Sequence, residues 1–483
     1  MQKKSTSLYV LLGLGREGFS TYNYLRALHP NAQFLGFDDK KVEFEVEKWQ
    51  KVTKIDQNIQ FFHDKSSFFA TLTLACQSNL SAPPKQPDGG KVVVFKSPGI
   101  SPAHEIAHSL MQAEWAQRVE WNTNTNLFFE LLAKYDSNQL MTIGVTGTKG
   151  KSTTTALIHH MLTHAGLPAF LGGNIGRPPL DMLEEVLAKL EERPTPAQRV
   201  YVVLELSSHQ LSDLRFSPRM AVIQEIVPEH LDYYPDFEAY IAAKSQIARY
   251  QHPDDLVIFN IDYKIPTQLA ELSGGRHRSY TTAGSLTEIE QLVPLAQLPL
   301  KGEHNLLNIM PSLLIARELN LEPDLVREAI RSFQPLPHRM ELVPSTDGVT
   351  YYNDSLSTTP EAAVAAISSF ETGKVILLAG GYDRHLDYTA LGETIIQTKV
   401  KLVVLFPTTG TRIKQAVLTA ADKLKTPAPT LIDAEDMATA VASARAAAEL
   451  GDVILLSPAS ASYNMYRDYQ ERGDAFKREV EGK

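Results

Sequence analysis

The sequence predicts an α/β protein of three successive parallel-sheet units, and three observations predict it. Short apolar runs alternate with amphipathic stretches along the whole chain, the rhythm of strands joined by crossover helices. Glycine-rich turns follow two of those runs and lead directly into helical patterns. The length of 483 residues exceeds one ordinary core, and domains of roughly 100–200 residues make two to four the natural division.

The first unit is assigned to residues 1–119. It holds LYVLL, a helical stretch from Gly18 to Leu28, FLGF, and VVVF before Lys96. Gly13-Leu14-Gly15-Arg16-Glu17-Gly18 follows the first run, and Asp38 stands twenty residues beyond Gly18. That is the spacing of a dinucleotide fingerprint, in which glycines allow a tight turn and a helix N-terminus faces phosphate. Alone, the motif marks a phosphate or nucleotide at a helix start, and an NAD-dependent oxidoreductase is the reading from another class. That reading explains the first unit and leaves the second unexplained. Ser81–Gly90, rich in proline and glycine, can form neither helix nor central strand and is expected as a surface loop.

The second unit, residues 120–334, contains the strand-like runs LMTIGV, YVVLEL, MAVIQEIV and LVIF. LMTIGV runs into Gly147-Thr148-Lys149-Gly150-Lys151-Ser152-Thr153 and then into the helical ALIHHMLTHAG. Strand, glycine turn and helix in that order aim backbone N–H groups at one point, and Lys151 adds a positive charge there. Such a turn binds a nucleotide's phosphates, with Ser152 placed to reach a magnesium ion. Its spacing departs from the usual phosphate loop, because Val145 occupies the expected glycine position and Gly144 lies one residue too far upstream. A merely flexible turn is the bland alternative, and the strand and helix on either side argue against it. Glu205 ends YVVLEL at the strand edge where open α/β sheets bind ligands, so it could hold magnesium, although a lone carboxylate there is more often a solvated charge. His230 in PEHLDYYP and Lys244 in FEAYIAAKSQIARY are each ordinary surface chemistry taken singly. Their position relative to the loop gives them value.

The third unit, residues 335–483, begins where Pro335 and Pro337 end the helical stretch Asp324–Phe333. It carries VTYYN, KVILLAGG, KLVVLF and DVILLSPAS, with a helix from Met437 to Glu449. No short-period repeat is present. The formal charge of −9 argues against a general nucleic-acid binder. The single cysteine, Cys76, excludes an intrachain disulfide or thiolate metal cluster and fits a reducing compartment. MQKKSTS leads into a strand rather than a signal peptide, and no stretch approaches the roughly 18 apolar residues of a spanning helix. A soluble cytoplasmic protein without membrane insertion is expected.

With these residues assembled, the chain resembles the Mur ligase family over nearly its whole length. The likeness rests on GTKGKSTTT, Asn174 in GGNIG, ELSSHQL, PEHLDYYP, Lys244, GEHNLLN, PLPHRMELV, NDSLSTTPEAAVAAI and GGYDRHLDY. The run LLSPASASYNMYRDYQERGDAFKREV is especially like the glutamate-adding members. The resemblance implies an N-terminal Rossmann-like domain, a central P-loop ATPase-type domain and a C-terminal Rossmann-like domain. The first glycine motif would then hold a uridine nucleotide rather than NAD, with Gly15, Arg16, Asp38, Ser97 and Asn174 near it. ATP would convert the carboxylate of UDP-N-acetylmuramoyl-L-alanine to an acyl phosphate, which the amine of glutamate attacks. Lys151 and its loop neighbours would contact the phosphates, Ser152 and Glu205 would hold one magnesium, and His230 a second. Lys244 would be the lysine that is carbamylated, able in that form to bind metal or orient phosphate. Asn305 and Asn308 match adenine-side asparagines, while Arg339 and Asp354 would approach the nucleotide from the third domain, so closure over ATP is expected.

The amino-acid residues by the same resemblance are Leu356, Arg384, Ser462 and Tyr469. Members that add D-glutamate typically have lysine where Leu356 and Arg384 stand and phenylalanine where Tyr469 stands, while Ser462 matches. DSLSTTP with GGYDR also resembles a branch that adds L-glutamate. D-glutamate is the expected substrate, L-glutamate the alternative, and a monomer the expected state. Many members carry asparagine where this chain has Glu225, and nothing in the sequence explains it. A binding protein that has lost ligase activity is a further alternative. Retention of Lys151, Ser152, Glu205, His230 and Lys244 together argues against it.

Overall fold

The computed structural model describes residues 8–39, 46–80, 92–101, 104–113, 116, 119–192, 199–230, 233–300, 302–334, 336–345 and 348–482. The expected loop Ser81–Gly90 lies outside them. The described chain forms three sheets.

The first sheet is built from β1 (Leu8–Leu12), β2 (Gln33–Phe37), β3 (Ile59–Phe62), β4 (Val92–Lys96) and β5 (Val119–Asn122), all parallel in the order β3-β2-β1-β4-β5. A parallel strand covered on both faces reads as a continuous apolar run, because alternate side chains enter different cores. In β1, Leu8, Val10 and Leu12 pack with Phe37 and Phe68. Tyr9 and Leu11 pack with Tyr22, Phe34 and Trp49 on the other side. The strand order reverses between β1 and β4, which opens a crevice at their C-terminal ends.

The second sheet comprises β6 (Leu140–Thr146), β7 (Ala169–Gly173), β8 (Val200–Glu205), β9 (Met220–Ile223), β10 (Leu256–Asn260) and β11 (Arg276–Tyr280). It is parallel in the order β11-β10-β9-β6-β8-β7. The strand expected over MAVIQEIV stops at Ile223. Beyond it the backbone serves the phosphate loop instead of a ladder: Glu225 O accepts from Thr148 N at 2.7 Å, and Val227 N donates to Thr148 Oγ1 at 3.0 Å.

The third sheet contains β12 (Glu341–Val343), β13 (Thr350–Asn353), β14 (Val375–Gly380), β15 (Leu402–Phe406), β16 (Thr430–Asp433) and β17 (Val453–Leu456). Its order is β12-β13-β17-β14-β15-β16, with only β12 antiparallel to its neighbour. Helices Pro360–Ile367, Thr389–Gln397 and Gly410–Leu424 cover one face, and Met437–Ala447 and Tyr469–Glu481 cover the other.

The chain divides into two compact units, Met1–Leu295 with Leu307–Arg331, and Ala296–Leu306 with Ser332–Lys483. The first two sheets therefore share one unit. β5 runs from Val119 to Asn122, across the division expected at 119/120, and residues 296–306 group with the third sheet rather than the second. Among the described residues no helix is long and apolar enough to cross a membrane.

Candidate functional site

The phosphate loop follows β6 and ends at helix Lys151–His164. Its glycines are required by space and by conformation. Gly150 has φ +81°, and a Cβ there would lie 2.2 Å from Asn308 Oδ1 and 2.3 Å from Gln224 Oε1. A Cβ on Gly147 would lie 2.6 Å from Gln224 Cβ. Lys151 Nζ folds back to donate to Thr148 O at 2.9 Å. Thr148 braces the loop: its N–H goes to Glu225 O, and its hydroxyl lies 3.0 Å from both Val227 O and Tyr240 Oη. The contact expected of Thr148 with a nucleotide is therefore not one its amide or hydroxyl is free to make. Asn308, on helix Glu303–Glu318, is tied to the loop through its backbone, which accepts from Thr154 Oγ1 at 2.8 Å. Gln224 Nε2 donates to the same hydroxyl at 2.5 Å. Lys149 is exposed, Ser152 half-buried and Thr153 buried.

Glu205 ends β8, one strand from the loop, and is 1% exposed. Its Oε1 accepts from Asn174 Nδ2 at 2.7 Å, while Oε2 is buried with no hydrogen-bond partner. A buried carboxylate oxygen left unpaired is costly, so this atom marks a partner still to come. A divalent cation fits. Magnesium uses one or two protein oxygens and takes the rest from phosphates and water, and among the described residues no cluster of three His, Cys, Asp or Glu could hold a metal by itself.

Lys244 lies on helix Phe237–Arg249, 1% exposed. Its Nζ donates to Gly147 O at 2.7 Å and sits 4.7 Å from the centre of the Tyr240 ring. Burial first, and then the neighbouring Lys151 charge, hold its pKa well below the ordinary amine value, against the weaker pull of Glu229 and Glu205. The amine is thus biased toward its neutral form. His230 is exposed at the unusual φ of +56°. Its Nε2 is 3.6 Å from Glu229 Oε2, and its ring packs edge-on against His209 at 4.7 Å. Sequence reasoning gave no role to Gln224, Glu229 or Tyr240. Gln224 alone left a signal, a polar amide directly after an apolar strand.

A cavity of about 410 Å3 opens at the crevice of the first sheet. Gly15, Arg16, Asp38, Ser97 and Asn174 all line it, which brings together every residue expected around the uridine nucleotide. Asp38 shapes the glycine turn itself, Oδ2 accepting from Leu14 N at 2.8 Å. Ser97 Oγ donates to Gly13 O at 2.9 Å. Gly13, at φ +88°, leaves a gap in which a Cβ would meet Ser97 Cβ at 2.7 Å. Asn174 follows β7 of the second sheet, so this cavity is walled from both sheets. Lys96–Asp213 at 2.7 Å, Tyr233 Oη donating to Pro98 O at 2.9 Å, and Gln210 Nε2 donating to Glu17 Oε1 at 2.7 Å hold the two sheets together. Arg16 donates to Gly176 O.

In the compact unit that holds the third sheet, the expected amino-acid residues follow the C-terminal ends of the adjacent strands β13, β17 and β14. Buried Arg472 joins two of their loops: Nε and Nη2 donate to Ser355 Oγ and O at 3.0 and 2.8 Å, and Nη1 to Ser460 O at 3.0 Å. Burial lowers this guanidinium to about 10. Leu356 directly follows Ser355, and Ser355 Oγ also donates to Tyr469 O at 2.8 Å. Tyr382 N donates to Ala461 O at 2.8 Å, and the Arg384 guanidinium lies 5.6 Å from the Tyr463 ring centre. Arg339 and Asp354 adjoin in the same unit. Asp354 is buried, accepts from Ser357 Oγ, Ser457 Oγ and Met340 N, and is raised by burial to about 6 against those bonds and the Arg339 charge. Asn305 is buried, its N–H donating to Gly302 O at 3.0 Å.

What the first unit can do chemically is hold polyphosphate at the end of β6 and a second phosphate-bearing ligand in the adjoining cavity. Such an arrangement suits an α/β nucleotide-binding protein. Comparison with known proteins narrows the class. Residues 145–316 match the Mur ligase middle domain, and residues 338–460 match the Mur ligase glutamate ligase domain. The UDP-N-acetylmuramoylalanine–D-glutamate ligase of Acetivibrio thermocellus is 33% identical, with 80% of this chain and 81% of that protein covered. The UDP-N-acetylmuramoyl-L-alanine–L-glutamate ligase of Xanthomonas axonopodis pv. citri is 34% identical, with 96% and 93% covered. Among solved structures, a UDP-N-acetylmuramate–alanine ligase from Thermotoga maritima shares the fold at TM-score 0.54 and 16% identity, covering 99% of both chains. The chain belongs to the Mur ligase family. The oxidoreductase reading of the first glycine turn finds no support among these relatives.

Proposed function

We propose that the chain is an ATP-dependent ligase of peptidoglycan precursor synthesis that joins glutamate to UDP-N-acetylmuramoyl-L-alanine. The carrying observation is Asn174, which lines the cavity and also holds Glu205, so a ligand in the cavity ends beside the phosphate loop. In this reading the alanyl carboxylate attacks the terminal phosphorus of ATP and ADP leaves. The amine of glutamate then attacks the acyl carbon, the phosphate leaves with the C–O electron pair, and the amine loses a proton as the amide forms. A bare carboxylate repels nucleophiles and has no good leaving group, so the phosphate is what makes the bond accessible.

Gly147, Lys149, Gly150, Lys151, Ser152 and Thr153 hold the phosphates, with Thr148 bracing them from behind. Asn308 packs against the loop on the nucleotide side. Ser152 and Glu205 would hold one magnesium, and His230 with carbamylated Lys244 a second, and the ions would supply charge neutralisation between two anions. Lys244 is suited to carbamylation because only a neutral amine attacks carbon dioxide: the N–C bond forms, a proton leaves, and a neutral side chain becomes an anion. For Asn305, Arg339 and Asp354, for the division into domains near residues 119 and 334, and for a cytoplasmic monomer, the proposal rests on the family resemblance. Leu356, Arg384, Ser462 and Tyr469 form the glutamate pocket.

D-glutamate is the first reading of the amino acid, as in the Acetivibrio relative's name. L-glutamate is the second, favoured by a specific observation: the relative named for L-glutamate covers 96% of this chain, against 80% for the Acetivibrio protein. The test is to incubate the protein with ATP and UDP-N-acetylmuramoyl-L-alanine, offer each isomer separately, and measure phosphate release and product mass. Inactivity with both isomers would overturn the ligase reading, and product with L-glutamate alone would select the second.

A further inference from the structure

One carboxyl group in the wall of the cavity has no place in this chemistry. Glu17 is the second residue of helix Arg16–Leu28 and lines the cavity at the glycine turn, where a helix N-terminus would receive a diphosphate. The hydrogen bonds around it are directional. Gln210 Oε1 accepts from Ser207 N at 3.0 Å, which turns the amide NH2 end toward Glu17, and Nε2 donates to Glu17 Oε1 at 2.7 Å. Oε1 is therefore an acceptor. Oε2 is buried with no hydrogen-bond partner and is the oxygen left to carry a proton.

We propose that Glu17 is a proton-linked positioning residue of the UDP-substrate cavity: the diphosphate is accepted with Glu17 as a neutral acid, so that binding draws a proton onto Oε2. The inference rests on the cavity being the site of UDP-N-acetylmuramoyl-L-alanine. An ionised Glu17 would set a buried negative charge at the helix start where the diphosphate belongs, in a cavity that Asp38 and Asp39 already line. The charges facing it do not remove that conflict. Arg16, on its own helix, is exposed, and Lys96 of β4 is paired with Asp213 at 2.7 Å. Burial accordingly raises the Glu17 pKa to about 7, against the Gln210 hydrogen bond and the charges of Arg16 and Lys96. His104 also lines the cavity and adjoins Asp39 at 3.1 Å.

The sign follows. If the substrate binds only to protonated Glu17, its dissociation constant is flat at low pH and rises above the Glu17 pKa, about tenfold weaker at pH 8 and about a hundredfold at pH 9. The substrate's diphosphate stays fully ionised over this range and contributes no slope. The experiment is isothermal calorimetry of UDP-N-acetylmuramoyl-L-alanine with the full chain, from pH 6 to 9, in buffers of different ionisation enthalpy. Wild type should take up close to one proton at pH 8. Glu17→Gln, which keeps the shape and the neutral state, should bind across the range without that uptake. A wild-type protein that binds with the same affinity at pH 6 and pH 9, or a Glu17→Gln variant with the wild-type slope, overturns the inference alone. Absence of binding to wild type at every pH overturns the reading of the cavity on which it stands.

Discussion

Replacing Lys244 with methionine should make the protein more stable and nearly inactive. The side chain is 1% exposed, and among the described residues its ammonium donates one hydrogen bond, to Gly147 O at 2.7 Å. Methionine keeps the length, removes the charge and forfeits that bond, worth about 1 kcal/mol. Against this, each pH unit by which burial depresses an amine's pKa corresponds to about 1.4 kcal/mol of destabilisation of the charged form. The depression here is large, so a net gain of roughly 1–3 kcal/mol is expected, in line with other buried charges replaced by apolar groups.

The pH dependence separates this cause from better packing. Between the depressed folded pKa and the ordinary lysine value of 10.5, the unfolded chain binds more protons than the folded one. Wild-type stability therefore rises with pH across that window, and below it the penalty is constant. The melting midpoint of Lys244→Met should exceed wild type by a few degrees at pH 7 in carbon-dioxide-free buffer, with the gain shrinking toward pH 10. Bicarbonate should raise the wild-type midpoint and leave the variant's unchanged. Turnover should fall by about a hundredfold or more. A variant less stable than wild type at pH 7, or a gain that does not change with pH, would refute the reasoning.

Three further substitutions probe the other contacts of these sites. Asn174→Leu strips the partner from Glu205 Oε1 and should cost about 1–3 kcal/mol while raising the magnesium requirement; an unchanged melting midpoint and magnesium titration would count against the pairing. Gly150→Ala places a Cβ 2.2 Å from Asn308 Oδ1 at φ +81° and should raise KM for ATP at least tenfold, with calorimetric binding of the UDP substrate preserved as the check on folding. Arg472→Lys keeps the charge but cannot reach both Ser355 and Ser460. It should lower stability by about 2–3 kcal/mol and raise KM for glutamate far more than KM for ATP, which parallel kinetics would show.

The strands that the sequence reveals and those it conceals divide by position in the sheet. The eleven interior strands of the three sheets all fall on runs that read as strands, ten of them apolar, LYVLL, LMTIGV and KLVVLF among them, and one, VTYYN, aromatic. The six not anticipated, β3, β5, β7, β11, β12 and β16, are the six sheet edges. An interior parallel strand is covered on both faces and must be apolar throughout, whereas an edge tolerates charge and benefits from it. RHRSY in β11, with four exposed positions of five, carries no strand signal at all. The site divides in a similar way. Glycine turns are legible because only glycine fits beside Gln224 or Ser97, and Glu205 because a carboxylate ends an apolar strand. Gln210, Glu229 and Arg472 act through partners more than a hundred residues away or through a fold-dependent approach, and nothing local distinguishes them from surface polar residues. Asp38 is legible in place, while the bond by which its carboxylate also fastens the turn at Leu14 is not.

Glu17, Lys244 and Glu205 share a logic that their opposite charges conceal. Every reactant proposed for the first unit is an anion, and a site that met them with full opposite charge would bind substrates and transition state alike, which lowers KM without accelerating the reaction. Burial instead moves Glu17 and Lys244 toward neutrality, and leaves Glu205 with an oxygen that has no protein partner. In the proposed reading a specific small species compensates each group: a proton at Glu17, carbon dioxide at Lys244, a divalent cation at Glu205. The fold thus places incompletely paired polar groups where the proposed chemistry needs them, and binding of the proposed ligands would offset their cost. Because Asn174 touches both the cavity and Glu205, and Gln210 ties Glu17 to the segment that follows Glu205, occupation of the UDP-substrate cavity and charge compensation at the phosphate loop are physically adjacent events.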